Sequence, residues 1–118
     1  MDIPTIATRS QPDTYVARRS GAAITITFDA STPHVDERDI DCQGGKLTYK
    51  LDRPSRFVYS CRVGDEIVYA ITKYGKTYRV GASNATEEIG YTIRYPASQR
   101  SYWDPVVSHM TRSLRFTH

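Results

Sequence analysis

Arg56-Phe57-Val58-Tyr59-Ser60-Cys61-Arg62-Val63, then Gly64-Asp65, then Glu66-Ile67-Val68-Tyr69-Ala70-Ile71-Thr72 is the stretch that decides the fold. The first run alternates polar and apolar residues, the period of a half-buried strand. The last is rich in β-formers and apolar on both faces, as a central strand should be. A Gly-Asp pair between two such runs predicts a two-residue hairpin of type II′, with Gly64 at positive φ. That register sets Cys61 opposite Val68, Tyr59 opposite Ala70 and Phe57 opposite Thr72. The pattern extends to a meander over Asp41–Val80, four antiparallel strands joined by three tight turns.

Downstream, Lys73-Tyr74-Gly75-Lys76 reads as the next turn. It leads into Thr77–Val80, with Tyr78 opposite Ile71 and Val80 opposite Tyr69. Upstream, Leu47, Tyr49 and Leu51 alternate, and share a face with Phe57, Tyr59 and Cys61 if the loop around Leu51-Asp52-Arg53 has odd length. In that register Cys42 points away from Cys61. A β-bulge at Gly44-Gly45 shifts the register by one and brings the two sulfurs together. A Cys42–Cys61 disulfide is therefore expected, the alternative being two free buried thiols. Two cysteines are too few for a zinc site.

The flanks extend the β pattern. Ile24, Ile26 and Phe28 alternate with Thr25 and Thr27 in a strand over Ala22–Phe28. Asp29–Asp39 reads as a polar loop whose acids Asp29, Asp36, Glu37 and Asp39 lack calcium-loop spacing. Gly81–Glu88 reads as a loop containing a glycosylation triplet, Asn84-Ala85-Thr86. Ile89, Tyr91, Ile93 and Tyr95 form a sixth strand, ended by Pro96. Asp104-Pro105 is a helix-start signal for about two turns over Val106–Ser113, with Tyr102-Trp103 as a packing anchor. Leu114-Arg115-Phe116 adds an edge strand or frays. Residues 1–21 lack a sustained period and read as a flexible arm, leaving a single β-domain over 22–118. The expected class is all-β: about six antiparallel strands in a small sandwich or barrel, with a short C-terminal helix or extended segment.

The chain has 118 residues, a net charge of +3, a pI near 8.9 and nine tyrosines. Its length supports a core without a metal. No apolar run approaches the roughly 18 residues of a membrane-spanning helix. Met1-Asp2-Ile3-Pro4 does not resemble a signal peptide, so with the predicted disulfide a mature secreted form is expected. P-loop, Rossmann, nucleophile-elbow and metalloprotease motifs are missing. No cofactor and no metal site are expected, and neither His109 nor His118 falls within a recognisable catalytic motif.

What the sequence does concentrate is positive charge. Lys46, Lys50, Arg53, Arg56, Arg62, Lys73, Lys76 and Arg79 lie on the meander and its turns, with Tyr74 among them. Such cations protect strand edges, or they form a surface for anions, with phosphate contacts as the mode. Lys46, Arg56, Arg62, Lys73, Tyr74, Lys76 and Arg79 are the candidate binding residues.

Thr32-Pro33-His34, Ser55-Arg56-Phe57-Val58 and Ala70-Ile71-Thr72-Lys73 resemble segments of the fungal guanyl-specific ribonucleases. The resemblance implies a catalytic role for His34 and phosphate binding for Arg56. Lys73 stands in place of the family's second histidine, and no residue matches its glutamate. That implies an RNA binder or a weak nuclease, since the proton donor to the leaving oxygen is missing. The compact, disulfide-pinned, mildly basic β-domain also resembles, in architecture, the small secreted effectors of plant-pathogenic fungi, including the MAX effectors. This implies a non-enzymatic binding protein whose sheet engages a host macromolecule, including inside the host cell, most simply another protein. RNA is the alternative partner.

Overall fold

The structure, a computed structural model, describes residues 7–11, 14–19, 22–31, 40 and 42–115. Among these residues seven strands follow in chain order: β1 (Ala7–Gln11), β2 (Thr14–Arg19), β3 (Ala22–Ser31), β4 (Lys46–Arg53), β5 (Arg56–Val63), β6 (Glu66–Val80) and β7 (Ser83–Pro96). A single 3-10 turn, Ala97–Gln99, leads into helix α1 (Arg100–Ser113). All neighbouring strands are antiparallel, in the spatial order β1-β2-β3-β7-β6-β5-β4.

The antiparallel β class with a short C-terminal helix is what the sequence led us to expect. Among the described residues, however, the strands form one open sheet, neither closed into a barrel nor stacked on a second sheet. The helix supplies the second layer. Trp103, Val107, Met110 and Leu114 recur at helical spacing and are all buried. They pack on Ile24 and Ile26 of β3, Tyr91, Ile93 and Tyr95 of β7, Ile71 of β6 and Val58 of β5. Fully buried Trp103 donates from Nε1 to Gln99 Oε1 at 3.0 Å, so its one polar atom is satisfied inside the core. The helix starts at Arg100, five residues before Pro105. Proline leaves the Ser101 carbonyl without its helical donor, but Ser101 is exposed and water can take that place.

The opposite face carries Phe57, Cys61, Val68 and Ala70, all buried. It also holds the disulfide Cys42–Cys61, with Cα atoms 5.4 Å apart, and Arg94, whose guanidinium binds Glu66 and the Gln43 side chain.

The β5–β6 register is the expected one: Cys61 faces Val68, Tyr59 faces Ala70 and Phe57 faces Thr72. Gly64 holds φ at 59° in the two-residue turn. Three expectations around it need correction. First, the β4–β5 turn is Pro54-Ser55, an even loop, so Leu51 lies opposite Val58 on the helix side and not beside Phe57. Second, the bulge falls between Leu47 and Tyr49, not at Gly44-Gly45. It puts Leu47 opposite Cys61 and Tyr49 opposite Ser60, on different faces. Gly44 instead belongs to a turn closed by Gly45 N–H donating to Cys42 O at 2.8 Å, with Gln43 at φ 53° and Gly44 at 84°. That turn delivers Cys42 to Cys61. Third, β6 does not turn at Tyr74-Gly75. It absorbs the extra residue as a register shift between Tyr74 and Thr77, and runs on to a turn at Gly81-Ala82, where Gly81 holds φ at 61°. Tyr78 therefore pairs with Ala85 and Val80 with Ser83.

Within the expected flexible arm, β1 and β2 pair in sequence onto β3, and Ala17 is fully buried against the core. Tyr15 and Ala17 alternate toward the helix side, a pattern too short to stand out among the neighbouring polar residues. His34, the acids Asp36, Glu37 and Asp39, and Phe116 lie outside the described residues.

Candidate anion-binding site

Strand lengths create the site. β5 pairs with β6 only as far as Arg56 opposite Lys73, whereas β6 and β7 continue as a two-stranded ribbon to Gly81. The outline of the sheet therefore has a step where β6 runs past the Pro54-Ser55 turn. The Tyr74 N–H donates to Ser55 O at 3.0 Å and ties the two together. A notch of about 630 Å³ opens there, lined by Arg53, Pro54, Ser55, Arg56, Lys73 and Tyr74.

The register aligns its cations. Arg53 is directly opposite Arg56, and Arg56 directly opposite Lys73. Strand parity places all three on the helix side, in one row across β4, β5 and β6 at the roughly 4.8 Å spacing of neighbouring strands. The next position in the row is Ile89, so the row contains no carboxylate. Like charges directly opposite each other destabilise a sheet.

Lys73 is held most firmly. Its Nζ donates to Thr111 O at 2.7 Å and Leu114 O at 3.0 Å, among the last carbonyls of α1. Those oxygens form the negative end of the helix and lack partners within it. Even so, burial lowers the Lys73 pKa from its ordinary value, and the charges of Arg56 and Arg115 lower it further. Arg115 thus adds a fourth positive charge to this corner. Arg53 and Arg56 are exposed, and Tyr74 is half-buried.

Of the candidate binding residues, the fold brings together Arg56, Lys73 and Tyr74. Lys46 and Arg62 face each other at the far end of the β4–β5 ladder, about 20 Å away along the strands. The Arg62 Nε donates to Gly64 O at 2.8 Å and the Arg79 Nε to Gly81 O at 3.5 Å, so each braces the glycine turn that follows it. Lys76 is exposed on the ribbon just beyond the notch. Arg53 and Arg115 were not among the binding candidates. The Pro54-Ser55 turn was the signal for Arg53, because a two-residue loop places Arg53 against Arg56.

A second depression, of about 350 Å³, lies between α1 and the uncovered side of β4–β6. Tyr49, Tyr69, Tyr95, Arg100 and Asp104 are among its lining residues. Its polar groups are largely occupied by one another. Tyr95 donates to Asp104 Oδ1 at 2.8 Å, Arg100 Nε lies 3.6 Å from Asp104 Oδ2, and the Tyr69 hydroxyl pairs with Thr111 Oγ1 at 3.4 Å.

Among the described residues no three His, Cys, Asp or Glu side chains gather to hold a metal, and no helix is long and apolar enough to cross a membrane. His109 is exposed on α1. Comparisons with protein-family models, curated proteins and solved structures find no match.

Proposed function

We propose that this protein is a non-enzymatic, secreted binding domain that engages an anionic macromolecule through the notch corner of its sheet. One observation carries the reading: the unbroken row Arg53–Arg56–Lys73. Folding sets three like charges side by side with no carboxylate in the row, a cost that an anionic partner would reverse. The disulfide supports an oxidising compartment, and with it the role of a small secreted effector. An acidic protein surface and a nucleic-acid backbone both meet the charge requirement.

Retention on immobilised heparin, a generic polyanion, tests the reading. Wild-type protein is expected to be retained at low salt and released as salt rises. The R53A/R56A double variant should elute at clearly lower salt, while K46A/R62A, at the other end of the ladder, should shift much less. Equal shifts for the two pairs would mean that net charge alone governs retention, and would remove the site.

A further inference from the structure

Strand β4 ends the sheet. β5 lies on one side of it and, among the described residues, no strand lies on the other. Every residue of Lys46–Arg53 is exposed except half-buried Leu51. Leu47 and Tyr49 stand 43% and 49% exposed, large apolar side chains on an open edge. Such an edge is a template for another strand.

The turns fix which backbone groups face outward. Successive residues of an antiparallel strand send their N–H and C=O groups to opposite edges. The Pro54-Ser55 turn closes on Arg53 opposite Arg56, a hydrogen-bonded pair. Arg53, Leu51 and Tyr49 therefore bond toward β5, and Asp52 and Lys50 turn their backbone groups to the open edge. The bulge between Leu47 and Tyr49 limits the regular edge to Tyr49–Arg53.

This edge is complementary to itself. Two β4 strands related by a two-fold axis can exchange backbone hydrogen bonds only between outward-facing residues. An axis at Lys50 would set lysine against lysine, and an axis at Asp52 would set aspartate against aspartate, both repulsive. An axis at Tyr49 would drive Lys50 into the bulge. An axis at Leu51 sets Lys50 opposite Asp52 of the second copy, and symmetry repeats the pair. On the helix side it sets Leu51 against Leu51, and covers each Tyr49 with Arg53 of the second copy. This axis stands perpendicular to the sheet, so both helices lie on the same side of it.

We propose that β4 pairs with β4 of a second copy of this chain, in the register centred on Leu51, to form a symmetric dimer with one continuous sheet. The pairing would also bring the two Arg53–Arg56–Lys73 rows onto one face, about 13 Å apart along the strands at roughly 3.3 Å per residue. It stands on the edge chemistry alone and does not depend on anion binding.

Sedimentation equilibrium of the whole chain, from about 10 μM to about 1 mM, tests it. Wild type should approach the mass of two chains and no more. Lys50→Asp and Asp52→Lys each set like charges opposite one another at both symmetric pairs. Each should raise the dimer Kd at least about ten-fold. The double variant K50D/D52K restores opposite charges and should return to within about three-fold of wild type. A second measurement is independent of charge. Leu51→Cys should cross-link under mild oxidation, because opposed residues that are not hydrogen-bonded hold their Cβ atoms about 4.5–5.5 Å apart, close to disulfide reach. Leu47→Cys, beyond the bulge, should not. Matching circular dichroism spectra and melting temperatures for the variants exclude misfolding. A monomer at every concentration, single charge variants that associate like wild type, or a double variant as weak as the singles would overturn the dimer. Equal cross-linking at positions 47 and 51 would overturn the register. Masses beyond two chains would mean that β4 meets a different edge in an open-ended contact, and would also overturn the proposal.

Discussion

Lys73 lies directly opposite Arg56 on the β5–β6 ladder and reaches across to the Thr111 carbonyl oxygen, 2.7 Å from its Nζ. One ammonium thus belongs both to the cationic row and to the C-terminal end of α1, the helix that covers the core.

Removing that ammonium should loosen the helix end. Hydrogen bonds from a charged donor contribute about 1.5–3 kcal/mol, and the lost repulsion from Arg56 returns part of this. Lys73→Met is therefore expected to destabilise the fold by about 1–2 kcal/mol, read as a lower urea midpoint at unchanged m-value. An unchanged midpoint would mean that the two carbonyl contacts contribute nothing net.

The same lysine should make polyanion binding sensitive to alkaline pH. Its folded pKa is lowered, first by burial and then by Arg56 and Arg115. Between that value and the ordinary one near 10.4, the unfolded chain holds a proton that the folded chain has lost. Across this window the Lys73 contribution to stability rises with pH. Affinity for an anion moves the other way, because the cation disappears. Heparin affinity of wild type should thus fall within the window below about pH 10.4. The Lys73→Arg variant keeps its charge and should show a smaller decline there. Identical profiles for the two proteins would assign the titration to other groups.

The disulfide should be a principal clasp. Cys42 and Cys61 are 19 residues apart, a loop for which chain entropy predicts about 3 kcal/mol of stabilisation. Cys42→Ala/Cys61→Ala should lower stability by about that amount, and unreduced protein should release no free thiol on denaturation. Two titratable thiols per chain would contradict the bridge.

Gly90 of β7 is pressed against its neighbour β6. A Cβ there would collide with the Ile71 carbonyl oxygen, a backbone atom that cannot swing aside. Gly90→Ala should cost about 1–3 kcal/mol through forced strand separation. Gly64→Ala, whose Cβ meets open space, tests a different limit: its cost should come only from the φ of 59°. Thermal melts of the two variants separate crowding from backbone strain, and an unperturbed Gly90→Ala would show that β6 and β7 are farther apart than described.

Much of this was readable in the residues themselves. The alternation of Arg56–Val63, the Gly64-Asp65 pair and the β-rich run after it are short-range signals, and they specified the β5–β6 hairpin to the residue. The cysteine pairing was also legible, although the route was not: the sulfurs meet through a turn at Gln43-Gly44, while the bulge lies farther along, between Leu47 and Tyr49. Gly75 misled for the same reason. Glycine suits a turn and a bulge equally, and local chemistry does not choose between them.

By itself the sequence determined the β class, the central hairpin and the strand Ile89–Tyr95, and it led to the expectation of the bridge by a route that the structure corrected. Those depend on side-chain period and turn chemistry within a few residues of one another. Tertiary structure decided which face Leu51 joined, that one helix rather than a second sheet covered the core, and that Arg53, Arg56 and Lys73 fell into one row. The physical reason is the period of two: a one-residue change in any loop or bulge moves every later side chain to the other face. Which register wins is settled by the apolar area buried beneath Trp103, Val107, Met110 and Leu114, a sum over the whole sheet that no single stretch contains.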